Sequence, residues 1–367
     1  MSADKVIFII ICIFAVIGGI DRMIGNRFGL GAAFEKGILT MGPLLLTMSG
    51  MIVLAPVIAD LLEPVIVPFY ELLGADPAMF AGSFFACDMG GYSLAREFST
   101  NENAVRLGGI IASSMLGVTI TFTIPVAMGV VSVEDRPHVA KGILCGILTI
   151  PFGIFVGGLV VGCSPIFILK NMLPIIILAL IIAIGLWKFE KILITIFTIF
   201  GRFMTALATF GLIVALIQKL TGWTIIKGIA PISESFIIVG EIALLLAGAF
   251  PLMFIVTKLL KKPLQKLGKK VCINESSMNG LLTNLLNSIP VFDSVKDMDI
   301  RGKVINMAFA VSASFVFGDH LAFTAGYDPK AILGLIAGKL TAGICALVLA
   351  FFITRNNKSM KGNDQNV

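Results

Sequence analysis

The stretch GILTMGPLLLTMSGMIVLAPVIADLL at residues 37–62 decides the fold class, because it is long and apolar and holds a single charged residue, Asp60. A membrane-spanning helix needs about 20 mostly apolar residues. Eight further stretches have the same character, and they are residues 6–20, 107–131, 139–162, 172–187, 191–218, 236–260, 304–327 and 331–353. The sequence therefore predicts an all-α, polytopic integral membrane protein with about nine transmembrane helices.

The composition supports this class and excludes others. Hydrophobic residues make up 57% of the 367 residues and charged residues only 14%. Since a soluble domain usually carries about 25% charged residues, this chain cannot cover a water-facing surface. A soluble enzyme, a nucleic-acid-binding protein and a disordered protein are therefore excluded. The net charge of +6 fits the Lys and Arg excess that membrane proteins carry in cytoplasmic loops.

The residues needed for metal, cofactor or nucleotide chemistry are scarce. The chain has two histidines, His138 and His320, and its six cysteines include no CxxC pair. A zinc site or a histidine-based triad has almost nothing from which to be built. Neither a GxxxxGK[ST] loop nor a GxGxxG motif after a strand occurs. We therefore predict no metal, no cofactor and no ATP-driven transport by this chain alone.

Two further apolar stretches are interrupted by polar residues and by Gly or Pro. They read MFAGSFFACDMGGYSLA at residues 79–95 and SSMNGLLTNLLNSIPVF at residues 276–292. Each is too short to span a bilayer comfortably. Irregular backbone at membrane depth is tolerated only inside the protein or along a wet cavity. The two stretches are therefore predicted to be re-entrant hairpins or broken helices.

The placement of basic residues predicts the orientation. If both interrupted stretches return to the side from which they came, the loops on one side hold 19 Lys and Arg and those on the other hold 7. The side rich in basic residues is cytoplasmic, which puts Ser2 outside and Val367 inside. We assign residues 1–354 to a single transmembrane transporter domain and residues 355–367 to a polar cytoplasmic tail.

This orientation predicts an inverted internal repeat. Five spans separate the two interrupted stretches, so one enters from outside and the other from inside. Opposed broken elements in two halves of a chain are typical of inverted-repeat transporters. The segments KGILT at 36–40 and NGLLT at 279–283 echo each other, although such an echo also arises by chance in a chain rich in Leu, Ile and Gly.

Asp88 is the first candidate site residue, because an ionisable group at membrane depth is costly and asks for a reason. The glycine pair that follows Met89 can open a helix and free backbone groups to bind a solute. A carboxylate beside aromatic rings suits an organic ammonium through ion pairing and cation–π attraction. The neighbours assigned to substrate binding are Phe85, Tyr92 and Ser93. The alternative is a structural ion pair of Asp88 with Arg96 or Lys339.

Asp319 is the second candidate, in the run VFGDHLAFTAGY. It is predicted to be a second cation ligand, or a proton-coupling group together with His320, since histidine titrates near physiological pH. The alternative is that the span 304–327 ends early, which would leave Asp319 and His320 in an external loop.

Neutral polar residues mark the second interrupted stretch. On a helix, Thr283 and Asn287 are four residues apart, and so are Asn284 and Ser288, which would make one polar stripe. Side-chain amides both donate and accept hydrogen bonds, so Asn284 and Asn287 are predicted to bind a hydroxyl-bearing solute. The alternative is that these groups join packed helices.

The chain resembles the bacterial ethanolamine permease family, whose members are encoded among ethanolamine-utilisation genes. Three runs carry the resemblance, and they are MSADKVIFIIICIFAVIGGIDRMIGNRFGLGAAFEKG at 1–37, GSFFACDMGGYSLA at 82–95 and VFGDHLAFTAGYDP at 316–329. The resemblance covers nearly the whole chain. It implies a multi-pass protein of the cytoplasmic (inner) membrane that admits protonated ethanolamine, with ethanolamine and the lipid bilayer as its partners and no enzymatic activity.

Other classes remain as alternatives. Apart from the resemblance, the residues predict only a transporter of a small organic cation or polar solute. An intramembrane aspartyl protease would use two aspartates, but its GxGD pattern would need Gly where this chain has Val316. A non-transporting partner or sensor is disfavoured because no sizeable soluble segment is present.

Overall fold

The computed structural model describes residues 3–271 and 273–355, and every regular element within them is a helix. Eight helical stretches are long and apolar enough to cross a membrane. They are Lys5–Met23, Leu30–Leu72, Glu102–Val130, Arg136–Val160, Pro165–Lys188, Glu190–Thr221, Ile232–Leu260 and Pro329–Arg355. The all-α polytopic fold is thereby confirmed. Ser2 and residues 356–367 of the predicted tail lie outside the described residues, so the domain division and the position of both ends stay predictions.

The ninth predicted span, 304–327, is a broken crossing and not one continuous helix. Its two helices, Ile300–Ala313 and Asp319–Tyr327, are separated by the irregular residues 314–318. Because of this break, the span is not among the eight long helices. The chain still passes from one side of the protein to the other here. We call residues 300–327 the broken crossing.

The first interrupted stretch is a re-entrant hairpin, formed by helices Ala78–Phe84 and Tyr92–Phe98. Both arms lie against the crossing Glu102–Val130. Along that crossing the close pairs are Ala78 with Gly108, Phe85 with Gly117, and Tyr92 with Gly109. The chain therefore advances along the crossing, turns beside Gly117 and comes back, as predicted. We call residues 78–98 the first hairpin.

The second interrupted stretch is also re-entrant. Helix Glu275–Asn284 runs alongside the broken crossing, and the close pairs are Ser277 with Gly302, Gly280 with Asn306, and Asn284 with Phe315. The chain then returns through helix Ile289–Asp293. The backbone N–H of Asn274 donates to Asp299 Oδ1 at 3.0 Å, which brings the start and the end of the hairpin together. We call residues 275–298 the second hairpin.

The order of the elements repeats in the two halves of the chain. Each half has two crossings, a hairpin and two further crossings, and helix Pro165–Lys188 joins the halves. The first helix of each half packs against the second helix of the other half, with Ile11 against Gly248 and Gly50 against Ala208. Because five crossings separate the hairpins, they enter from opposite sides. The echo between 36–40 and 279–283 joins non-equivalent elements and does not mark this repeat.

The last helices of the two halves meet at the centre of the molecule. Helices Arg136–Val160 and Ile332–Arg355 run antiparallel, and small residues spaced four apart let their backbones approach closely. The contacts are Gly153 with Gly338 and Gly157 with Gly334. This close packing fixes the position of the next residue along, Lys339, which is completely buried.

Candidate functional site

The tip of the first hairpin holds Asp88. Helix Ala78–Phe84 ends as the backbone of Phe85 becomes extended, and a distorted turn follows over Cys87–Gly91. Gly90 has φ 96°, a left-handed value that glycine adopts without steric cost. The glycine therefore lets the chain reverse at this depth, and Asp88 is carried on the reversing turn.

The irregular residues of the broken crossing, 314–318, lie opposite the tip of the first hairpin. Phe315 has φ 61°, which is unusual and strained for a bulky residue. Its N–H donates to the carbonyl of Asn284 at 3.0 Å, and the N–H of Phe317 donates to the carbonyl of Leu285 at 2.9 Å. The tip of the second hairpin thus supplies acceptors for the irregular backbone, and a new helix begins at Asp319.

These two irregular segments bring their polar side chains together. His320 Nε2 lies 4.0 Å from Asp88 Oδ1, and the imidazole packs at 5.1 Å from the ring of Phe315. The Cys87 thiol, the Asp88 carboxylate and the His320 imidazole lie within 4.8 Å of one another. Asp319 is close enough to Asp88 for the two carboxylates to interact electrostatically. Asp319 and the buried His320 therefore line this interior site, and the external-loop alternative is wrong.

Lys339 completes the cluster. Its ammonium donates to the backbone carbonyl of Ser114 and interacts electrostatically with Cys87, Asp88 and His320. The alternative of a structural ion pair between Asp88 and Lys339 therefore stays a prediction, because the two groups interact electrostatically while the ionisable side chain found within 4.0 Å of Asp88, among the described residues, is His320. Lys339 stands out in the sequence because it is a lysine within an otherwise apolar span. The sequence alone does not show which groups it contacts.

Several buried polar atoms around the site have no hydrogen-bond partner within the described part of the chain. They are Ser113 Oγ, Asn284 Oδ1, Ser288 Oγ, Ser314 Oγ and His320 Nδ1. Buried polar atoms are nearly always paired, so unpaired ones at two facing breaks indicate a place for a polar solute. The amide nitrogen of Asn284 is satisfied by the carbonyl of Asn306 at 3.2 Å, which leaves its oxygen available.

Tyr92 and Ser93 lie one turn beyond Asp88, on the returning arm of the first hairpin. The Tyr92 ring is 5.0 Å from that of Tyr327 and 6.1 Å from that of Phe323. The Tyr327 hydroxyl faces Ser93 without a well-formed hydrogen bond. These groups pack the hairpin against helix Asp319–Tyr327, so they lie at one end of the group formed by Cys87, Asp88 and His320.

Two predicted residues have local structural roles. The Phe85 ring packs 5.9 Å from Phe80 in an aromatic cluster, and its binding of the substrate stays a prediction; the ring that lies next to His320 is that of Phe315. Asn287 Oδ1 accepts the N–H of Ile289 at 2.8 Å, which closes a local turn just before the returning helix of the second hairpin. The predicted polar stripe is wrong, because helix Glu275–Asn284 ends before Asn287 and Ser288.

Comparison with known proteins places the chain in a family. The family model described as "Ethanolamine utilisation protein, EutH" matches residues 3–353. The chain belongs to the EutH family. It is 52% identical over 363 residues to the probable ethanolamine permease EutH of Listeria monocytogenes, covering 99% of this chain and 97% of that one.

Two further relatives match this chain along nearly their whole length. The uncharacterized protein YxeR of Bacillus subtilis is 42% identical, and the probable ethanolamine permease EutH of Escherichia coli is 41% identical, each covering 96% of both chains. No solved structure matches the chain. The chain is therefore a multi-pass bacterial membrane protein of this family.

Proposed function

We propose that this protein is a permease that carries ethanolamine, as the ammonium ion, into the bacterial cell through the site around Asp88. Membership of the EutH family and relatives named probable ethanolamine permeases support the transport of ethanolamine. The assignment of the site rests on the geometry of this chain.

The observation that carries the proposal is the meeting of two broken elements at a largely buried carboxylate. Asp88 lies at the tip of the first hairpin, where Gly90 breaks the helix. His320 follows the break at Phe315 and lies 4.0 Å from the Asp88 carboxylate. Ionisable residues inside a membrane protein usually mark a substrate or ion pathway. Broken elements at the interface of inverted repeats are where secondary transporters bind their substrates.

The chemistry of the site suits both ends of ethanolamine. Asp88 and Asp319 attract the ammonium, and a charge-assisted hydrogen bond to a carboxylate is stronger than a neutral one. The Phe315 ring adds an aromatic face next to His320. The hydroxyl of the substrate can both donate and accept, which suits unpaired groups such as Asn284 Oδ1 and Ser314 Oγ.

Transport without chemical conversion follows from this account. The two aspartates do interact electrostatically, but His320 lies 4.0 Å from Asp88 and the relatives are named permeases. We therefore propose that the substrate leaves the site unchanged, and chromatography of the transported label tests this point.

The experiment is uptake of labelled ethanolamine into proteoliposomes, with empty liposomes as the control for passive diffusion. Ethylamine lacks the hydroxyl and ethanol lacks the ammonium, so competition by each analogue reports which group is recognised. We expect unlabelled ethanolamine to compete best, ethylamine at least tenfold more weakly, and ethanol not at all. Equal competition by ethanol and ethylamine would contradict recognition of the charge, and equal competition by ethylamine and ethanolamine would favour a general organic-cation permease.

A further inference from the structure

Cys87, Asp88 and His320 form the one group of three possible metal ligands found among the side chains that the structure describes. Their ligand atoms are a thiol sulfur, a carboxylate oxygen and an imidazole nitrogen, and these atoms lie within 4.8 Å of one another. Cys87 and Asp88 are consecutive on the distorted turn of the first hairpin, and His320 lies near the start of helix Asp319–Tyr327. The two breaks in the chain therefore bring together donor atoms from segments far apart in the sequence.

The imidazole of His320 is available as a ligand. The side chain is 1% exposed, and its Nδ1 has no hydrogen-bond partner within the described part of the chain. Its Nε2 lies 4.0 Å from Asp88 Oδ1, which is beyond hydrogen-bond distance. Buried polar atoms are nearly always paired. Neither ring nitrogen is held in a hydrogen bond by a described residue, so either one can offer its lone pair to a cation.

The types of donor atom favour zinc. Zn²⁺ is bound in tetrahedral geometry by Cys sulfur at about 2.3 Å, by His nitrogen at about 2.0–2.1 Å and by carboxylate oxygen at about 2.0–2.2 Å. The ligand atoms of such a site lie about 3.3–3.6 Å apart, so the group needs to contract by about 1 Å. Mg²⁺ and Ca²⁺ take several oxygen ligands, which one carboxylate does not supply. Water completes the coordination of a zinc ion held by three protein ligands.

The charges of the group suit a divalent cation. When Zn²⁺ binds, the S–H bond of Cys87 breaks, its electron pair forms the S–Zn bond, and the proton passes to water. The thiolate and the Asp88 carboxylate then supply two negative charges. Lys339 and Asp319 interact electrostatically with Asp88 and carry opposite charges, so together they add no net charge. The Asp88 side chain is 17% exposed and is therefore the first ligand that an entering ion meets.

We propose that Cys87, Asp88 and His320 bind a Zn²⁺ ion, and that this ion inhibits transport because it occupies the carboxylate that the ammonium of the substrate needs. Binding of zinc is independent of the proposed function, whereas the inhibition rests on it. The proposed site departs from the sequence prediction of no metal, because its ligands come from distant segments and show no metal-binding spacing. Zinc and ethanolamine compete for Asp88, so each weakens the binding of the other.

Equilibrium dialysis of the purified protein in detergent against Zn²⁺ tests the site without transport. We expect one ion per chain, bound at least about tenfold more weakly by Cys87→Ala and by His320→Gln, since even the loss of a group behind a metal ligand costs about 10–100-fold. Cys145→Ala is the matched control, because it removes a buried thiol outside the group, and it should bind zinc as the wild type does. Co²⁺ bound to the wild type should show an ultraviolet thiolate-to-cobalt charge-transfer band, which tests the sulfur ligand even if a variant fails to fold.

Uptake of labelled ethanolamine into proteoliposomes tests the inhibition. At a zinc concentration about ten times the Kd from dialysis, occupancy alone should lower wild-type uptake about tenfold. Excess ethanolamine should relieve this inhibition, and Mg²⁺ at the same concentration should have no effect. The inhibition of each variant is compared with its own zinc-free uptake.

The outcomes separate the two proposals. No zinc binding by the wild type, no charge-transfer band with Co²⁺, or equal zinc binding by Cys87→Ala would overturn the metal site. Zinc binding without inhibition, or inhibition that ethanolamine does not relieve, would overturn the shared carboxylate. Absence of any protein-dependent ethanolamine uptake without zinc would instead overturn the proposed function, and the dialysis would still decide whether the metal site exists.

Discussion

Arg106 Nε donates to Asp328 Oδ2 at 2.6 Å and so ties the first half of the chain to the second. The same link recurs on the opposite side of the protein, where Lys303 of the second half pairs with Asp135 of the first. In each case a basic residue near the start of the third crossing of one half meets an aspartate that precedes the last crossing of the other. This reciprocal arrangement shows the inverted repeat at the level of single side chains.

We predict that the Arg106–Asp328 pair contributes to stability because both partners are largely buried, with side chains 15% and 8% exposed. Asp328→Asn keeps an acceptor for the N–H of Lys330 but removes the charge that Arg106 faces. A hydrogen bond to a charged group contributes about 1.5–3 kcal/mol, so thermal unfolding in detergent should show a loss of about 2 kcal/mol.

The exposed pair Arg22–Glu35, with side chains 57% and 50% exposed, supplies the control for this prediction. Exposed pairs contribute about 0–1 kcal/mol, and Glu35→Gln should therefore change stability little. Equal effects of Asp328→Asn and Glu35→Gln would mean that the link between the halves has no special role.

The turn of the first hairpin depends on the close approach of Gly117 to the backbone carbonyl of Phe85. A methyl group at Gly117 would overlap that carbonyl, so Gly117→Ala should displace the turn that carries Asp88. Overpacking of this kind costs about 1–3 kcal/mol, and ethanolamine uptake should fall along with the unfolding temperature. Gly129, in the same crossing, has open space around it. Gly129→Ala should leave both measurements unchanged or slightly raise stability, and identical behaviour of the two variants would contradict the account.

The left-handed backbone at Phe315 can be tested by comparing two truncations. Both Phe315→Gly and Phe315→Ala remove the ring, but alanine keeps the strain of a positive φ, which costs about 1–2 kcal/mol. The glycine variant should therefore unfold at the higher temperature. At Phe309, inside helix Ile300–Ala313, the order should reverse, since glycine in a helix costs about 1 kcal/mol relative to alanine. The same order at both positions would contradict the broken geometry.

The spans and both hairpins were predictable because each has a local signal. A run of apolar residues predicts a crossing, and the glycines after Asp88 predict a reversal within 79–95. The break at Phe315 had no such signal, because its only neighbouring glycine, Gly318, lies three residues further on, and a positive φ at phenylalanine follows from contacts with the second hairpin.

The composition of the site was predictable only in part, for a similar reason. Asp88 and Asp319 stand out because a charge in an apolar run is costly wherever the run folds. The closeness of His320 to Asp88 could not be predicted, because it depends on how distant elements pack. The prediction that Asn287 binds the substrate depends on a helix that continues through residue 288, whereas the helix ends at Asn284 and the Asn287 side chain accepts the N–H of Ile289 in a local turn.

The orientation in the membrane stays a prediction from the distribution of basic residues. Reporter fusions after residues 75 and 265 should report the outer and the inner side respectively, because the loop at 63–79 holds no Lys or Arg and residues 258–270 hold six Lys. An inner signal at 75 together with an outer signal at 265 would reverse the assignment and the direction from which each hairpin enters.

The most direct test of the central claim is uptake of labelled ethanolamine by Asp88→Asn in proteoliposomes. The substitution keeps size and hydrogen-bonding capacity and removes the charge, so uptake should fall at least about tenfold, given that a charged hydrogen bond contributes about 1.5–3 kcal/mol. Asp60→Asn makes the same change at an exposed aspartate outside the site and should transport normally. If Asp88→Asn is well folded and carries ethanolamine as fast as the wild type, the cation does not bind at Asp88 and the account is contradicted.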